Sequence, residues 1–138
     1  MKKTTNLVWG GRFEYDSSDI LKRINNSISF DYNLAHQDIK LNKQYAKSLF
    51  KAKILSASEL KNINVALDDI HIEIKKKNFK FSDDYEDIHM NIEMALRKKI
   101  GRLAGKLHTG KSRNDQVVTD VKLWTKEKIK NVIDKIKK

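Results

Sequence analysis

Nine consecutive residues, His108-Thr109-Gly110-Lys111-Ser112-Arg113-Asn114-Asp115-Gln116, bring together two hydroxyls, two cations, two amides, a carboxylate and an imidazole. Ser112 followed three residues later by Asp115 has the spacing of a capping box, so the stretch reads as a loop running into a helix start. A helix start exposes unpaired N–H groups and a partial positive charge, which suits an anionic ligand. Arg113 can grip a carboxylate through two parallel hydrogen bonds, and Asn114 can donate and accept at once. Gly110 lets the backbone approach a ligand. The set fits a small polar acid. The plainer reading is that Ser112 and Asp115 only cap the helix and the rest is solvated loop.

The elements that would position this loop are helical. Residues 1–16 carry Trp9-Gly10-Gly11-Arg12-Phe13 without a helical period and read as an extended arm. Ser17 or Ser18 is placed to cap a short helix bearing Ile20, Leu21, Ile24 and Ile28, and a second helix would bear Leu34, Leu41, Tyr45 and Leu49. Leu60, Ile63, Leu67, Ile70 and Ile74 alternate steps of three and four behind a Ser56–Glu59 capping box. Asn78 to Ser82 reads as a short extended connector. Asp84 is the expected N-cap of a helix carrying Ile88, Ile92, Ala95, Leu96 and Ile100, with Gly101 placed to end it. From Ser112 a last helix carries Val117, Val118, Val121, Trp124, Ile129, Val132, Ile133 and Ile136, a stripe about 37 Å long over some 25 residues. That is more than the rest of the chain can cover, so partner helices are expected. The helix pattern also runs to Lys138 without a stop signal, which reads as an interrupted architecture. The fold class is all-α, divided into the arm, a helical domain over residues 17–111, and the first part of a long bundle helix over residues 112–138.

Composition narrows the function classes. The chain has 138 residues, enough for one domain burying roughly 68–70% of its unfolded surface. It has no cysteine, which excludes disulfides, thiolate metal sites and thiol nucleophiles. No apolar run approaches a membrane span and the N-terminus lacks a signal-peptide core, so a cytoplasmic protein without a membrane partner is expected. The net charge of +11 invites a nucleic-acid reading. Most of the basic residues are lysines spread along every segment, however, which describes a solvated surface and no nucleic-acid partner. His36 and His71 have no motif around them and read as solvated or packed.

The string at 108–116 closely resembles the signature of the argininosuccinate lyases, members of the fumarase and aspartase superfamily. Leu7-Val8-Trp9-Gly10-Gly11-Arg12-Phe13 is similar to that family's N-terminal arm. Ser27, Asp31, Leu34, Asp38 and Ile39 match its next segment, and Glu86-Asp87-Ile88-His89 with Glu93 its middle motif. Val117-Val118-Thr119-Asp120, Leu123 and Trp124 continue the match.

The resemblance implies the N-terminal helical domain of that superfamily and an elimination that splits argininosuccinate into arginine and fumarate, with neither cofactor nor metal. A base removes a proton beside a carboxylate, and donors must stabilise the dianionic intermediate. By the same resemblance Ser27 and Asn114 are substrate-binding, with Thr109, Ser112, Arg113 and Asp115 in the same loop, while His108 shapes the turn. His89 has two readings, a hydrogen-bonded structural histidine or an auxiliary site residue. The family has Arg where Lys111 stands, which keeps charge but loses a planar fork. Family members form homotetramers with active sites built from three subunits. Their Thr-His segment and Gly-Ser-Ser loop have no counterpart here, so no catalytic residue is expected within this chain and the isolated polypeptide is expected to be inactive. Partner helices would come from a homotetramer or from a chain supplying the rest of the bundle. Adenylosuccinate lyase and fumarase are less similar at these strings. The alternative is a non-catalytic helical interaction or structural protein that retains the lyase scaffold.

Overall fold

The computed structural model describes Ile20 and residues 24–138, and among these it contains helices and turns with no strand. The arm, with Ser17, Ser18 and Leu21, lies outside the described residues. A short helix α1 (Ile28–Asp31) leads through a 3-10 turn (Tyr32–Leu34) into α2 (Ala35–Lys51). Helices α3 (Ala57–Lys75) and α4 (Ile88–Ile100) follow, then a 3-10 segment (Gly101–His108) and the long α5 (Arg113–Ile136). Ile28 does not continue a helix from Ile20: the chain leaves helical pairing at Asn26 and Ser27, and Ile20 and Ile24 are exposed.

Cross-helix pairs fix the directions. Lys43 reaches Asp68 and His36 reaches His71, so α2 and α3 run antiparallel. Glu73 pairs with Lys99, and Glu59 with Lys106 beyond the end of α4, so α3 and α4 do too. On the opposite side of α2, Gln37 meets Glu127, Asp38 meets Gln116 and Tyr45 meets Thr109, which makes α5 antiparallel to α2.

The core joins Ile39, Ala46 and Leu49 of α2 to Ile63, Leu67 and Ile70 of α3 and to Ile88, Ile92 and Leu96 of α4, closed by Ala104 and Leu107. Each large member contributes about 1.5–3 kcal/mol by burial. The Ser56–Glu59 box closes as its spacing predicts, with the Glu59 N–H donating to Ser56 Oγ and Ser56 N–H to Glu59 Oε2. The cap of α4 falls on Asp87, not Asp84. Asp87 is extended and accepts the Met90 N–H at 2.6 Å, whereas Asp84 is used in a local turn with Ser82. Gly101 ends α4 at a φ of +61°.

Helix α5 is different. Its buried residues are Gln116 and Asp120, both polar. Val117, Leu123 and Trp124 are half-buried, while Val118, Val121, Ile129, Val132, Ile133 and Ile136 are exposed, Val132 by 56%. The apolar stripe is thus left open among the described residues.

Candidate functional site

The loop is held by local chemistry. Lys111 N–H donates to the His108 carbonyl, with Thr109 at φ −60°, ψ 120° and Gly110 at φ +67°, the geometry of a type II turn. The third position of that turn needs the left-handed region, which is why glycine stands there. Tyr45 on α2 donates its hydroxyl to the Thr109 carbonyl at 2.6 Å and anchors the turn to the domain.

Helix α5 then starts at a closed capping box. Ser112 Oγ accepts the Asn114 N–H and the Asp115 carboxylate accepts the Ser112 N–H. The box occupies donors that an anion would otherwise use, and Asp115 brings a negative charge to the helix start. Anion affinity at this point therefore rests on the side chains of Arg113 and Asn114 more than on bare amides. Thr109, Ser112, Asn114 and Asp115 are exposed. Arg113 is half-buried between two carboxylates, its Nε 3.7 Å from Asp87 and its Nη2 3.8 Å from Glu93, both longer than hydrogen bonds. Its Nη1 is buried and has no hydrogen-bond partner among the described residues.

Ser27 comes to the same neighbourhood from far away in sequence. Its N–H donates to the Glu86 carbonyl at 2.8 Å, and it lines an open groove with Asp31, Asp87, Val117 and Val121. The Ser27 hydroxyl donates to Asp31 Oδ2 at 2.6 Å, and Asp31 Oδ1 accepts the Ile88 N–H, so this side chain also pins the start of α4. Burial raises the Asp31 carboxyl above its ordinary value, opposed by those two hydrogen bonds. Asp87 thus lines the groove that holds Ser27 and also lies beside Arg113, while none of residues 108–116 lines that groove.

His89 points elsewhere. It is 2% exposed and donates from Nδ1 to Asp38 Oδ1 at 2.8 Å. Asp38 is the centre of a buried polar network: the same oxygen accepts from Gln116 Nε2, and Oδ2 accepts from Asn42 Nδ2 at 2.9 Å. Burial raises Asp38, but His89, Gln116 and Asp120 outweigh it, so its carboxyl lies below the usual range. Lys111 also turns inward. Its ammonium donates to Asn42 Oδ1 at 2.8 Å and sits 5.5 Å from the Tyr45 ring centroid. Burial lowers it from the ordinary lysine value. Lys111 is thus a tie between loop and domain, and a single ammonium is enough for that contact.

Asp120 completes the network. It is fully buried, its Oδ2 lies 3.4 Å from His89 Nδ1, and neither oxygen has a hydrogen-bond partner among the described residues. Burial first, then the charge of Asp38, pushes its carboxyl up to about 9. A carboxyl raised this far favours its protonated form, and its nearest acidic neighbour is Asp38, within 4.8 Å. Asp38, His89 and Asp120 do place three ligating atoms within 4.8 Å of one another. His89 Nδ1 already holds its hydrogen toward Asp38 and both Asp38 oxygens already accept N–H donors, so the arrangement fits a shared proton better than a metal ion.

Sequence reading singled out the loop and Ser27, but not the part Asp31 and Asp87 play beside them, nor the buried network behind the helix. The available signal was the polar pairs Asp38–Asn42 and Gln116–Asp120, each four apart and hence on one face of an amphipathic helix.

A family model described as Lyase matches residues 11–138. An argininosuccinate lyase of Ehrlichia ruminantium (strain Welgevonden) is 50% identical over 134 residues, which are 97% of this chain and 29% of that protein. Those of Ehrlichia chaffeensis and Legionella pneumophila (strain Paris) are 52% and 47% identical, each over 90% of this chain and over 26% and 30% of their own lengths. The chain thus spans less than a third of the length of these curated relatives. With the family model matched from Gly11 to its last residue, on an all-α fold of the fumarase and aspartase class, the chain belongs to the lyase family.

Proposed function

We propose that this chain supplies the substrate-carboxylate end of an argininosuccinate lyase, the enzyme that eliminates fumarate from argininosuccinate and leaves arginine. The observation that carries this is the arrangement around Arg113: a half-buried guanidinium whose Nη1 has no partner among the described residues, at a capped helix start, flanked by exposed Asn114 and by Asp87, which lines the groove holding Ser27. In this reading Asn114 and Arg113 hold the succinyl carboxylates, Thr109 and Ser27 add donors, and Ser112 and Asp115 fix the helix start. His89 positions α5 through Asp38 and does not react. The arm (1–16), helical domain (17–111) and bundle helix (112–138) divide these tasks, and the setting is the cytoplasm.

The open stripe on α5 supports assembly with further helices, in a homotetramer or with a chain carrying the remainder of the bundle. Activity is a property of that assembly, so the polypeptide alone should produce no fumarate, followed by absorbance of the new double bond. The direct test is a chimera in which residues 1–138 replace the matching portion of the Ehrlichia ruminantium relative. It should turn over, and Asn114→Ala in it should lower kcat/KM at least a hundredfold, about 2.7 kcal/mol of lost transition-state stabilisation, with unchanged helix content. Normal kinetics in that variant would sink the assignment, and fumarate from the chain alone would sink the claim that it is incomplete.

A further inference from the structure

His36 and His71 lie on a face of the domain away from the loop. They come from α2 and α3, and His36 Nδ1 is 2.9 Å from His71 Nε2. The ring centroids are 4.8 Å apart with planes inclined by 35°. Two imidazole nitrogens at this separation either share one proton or, once it leaves, present two lone pairs to a single cation. Metal–nitrogen bonds of about 2.0–2.1 Å place two ligands roughly 2.9 Å apart at a right angle and roughly 3.4 Å apart at a tetrahedral angle. The observed spacing matches the first and needs about half an ångström of side-chain movement for the second. His36 is exposed and His71 half-buried, so this adjustment and the entry of an ion disturb no core packing.

We propose that His36 and His71 form a two-histidine site for a borderline-soft divalent transition ion of the Zn2+ and Ni2+ class. Imidazole nitrogen suits these ions, whereas Mg2+ and Ca2+ select oxygen. Asp68 stands one turn before His71 and lines the same open groove, where Lys43 holds its carboxylate at 2.6 Å. Lys40, Lys43 and Lys47 also line the groove, and Lys75 lies one turn beyond His71. Their charge weakens cation binding relative to neutral surroundings and favours an anionic co-ligand in the open positions. Burial, then the charges of Lys75 and His36, hold His71 below the ordinary histidine value. An ion here clips α2 to α3 and stabilises the native state by mass action.

The test is calorimetric titration of Zn2+ into the full 138-residue chain, paired with thermal melts. One equivalent should bind, Zn2+ should raise Tm, and His36→Asn and His71→Asn should each weaken binding at least tenfold and remove the Tm rise. In the unaltered chain the ring C–H resonances of His36 and His71 should move with added Zn2+ while those of buried His89 stay, a readout that requires no variant to fold. Absence of saturable binding below millimolar Zn2+, or binding that survives either substitution, overturns the proposal. Loss in one variant only would describe a single-histidine contact and overturns it as well.

Discussion

Asp120→Asn separates a shared proton from an ordinary buried carboxylate. In the folded chain the Asp120 carboxyl is pushed up to about 9, against an ordinary value of 3.8. Between those values the native state carries one proton more than the unfolded chain, so stability falls as pH rises. One proton corresponds to a slope of at most about 1.4 kcal/mol per pH unit. The contribution is complete below pH 3.8, declines through the interval, and is gone above about 9. From pH 7 to 9 the ceiling is about 3 kcal/mol. Effective dielectric constants in real proteins reduce it, and roughly 1–2 kcal/mol is expected. At about 3–5 °C per kcal/mol for a domain of this size, Tm should drop by roughly 3–10 °C over that range. Asparagine keeps the shape and offers Nδ2–H to Asp38 without a titrating proton. Its Tm should therefore hold nearly level where the parent falls. Groups remote from Asp120 are present in both proteins and cancel in the difference. Melts followed by circular dichroism from pH 6 to 9.5 provide the measurement. Parallel curves for the two proteins would refute the shared proton.

Removing the centre of the network is a harsher change. Asp38→Ala leaves the N–H groups of His89, Gln116 and Asn42 without their acceptor and should cost about 3–5 kcal/mol, read from urea midpoints. Ser112→Ala deletes the cap of α5 and should lower stability by about 0.5–2 kcal/mol in the same assay, without changing metal binding at His36 and His71. Gly110→Ala should cost about 1–2 kcal/mol because φ is +67° there; the added Cβ meets only Tyr45 Oη at 3.7 Å, so the penalty is backbone strain and Gly110→Asn should cost less.

Much of the fold was legible because apolar period and caps agree. The stripe from Leu60 to Ile74 and the Ser56–Glu59 box name the same helix, and the α3 assignment needs no tertiary information. Asp84 and Asp87 were harder to tell apart, since both are acidic and both precede Ile88. What decides between them is Asn91, whose side chain binds the backbone of Ser82 and thereby commits the preceding residues to a turn. The ends of α2 and α3 carry no glycine signal either, because Lys53 and Lys77 take φ near +60° themselves. At the site, residue type identified the loop but not the direction of its side chains. Lys111 reads in sequence as a substitute for the family's Arg that keeps its charge, and in space that charge turns inward to Asn42.

The same network explains how the loop at 108–112 is held on a helix that buries so little apolar surface. Apolar contact is non-directional and would let α5 rotate or slide along α2. Gln116 and Asp120 each reach Asp38, and Gln37 reaches Glu127 two turns further on, which fixes both rotation and register. Arg113 lies less than one turn from Gln116, so the direction of the guanidinium is set by bonds made in the domain interior. The apolar stripe is then left for other helices without being needed to seat this one. It follows that Asp120→Asn, which keeps a donor toward Asp38, should preserve the backbone chemical shifts of residues 109–115. Asp38→Ala should alter them even where the variant remains folded.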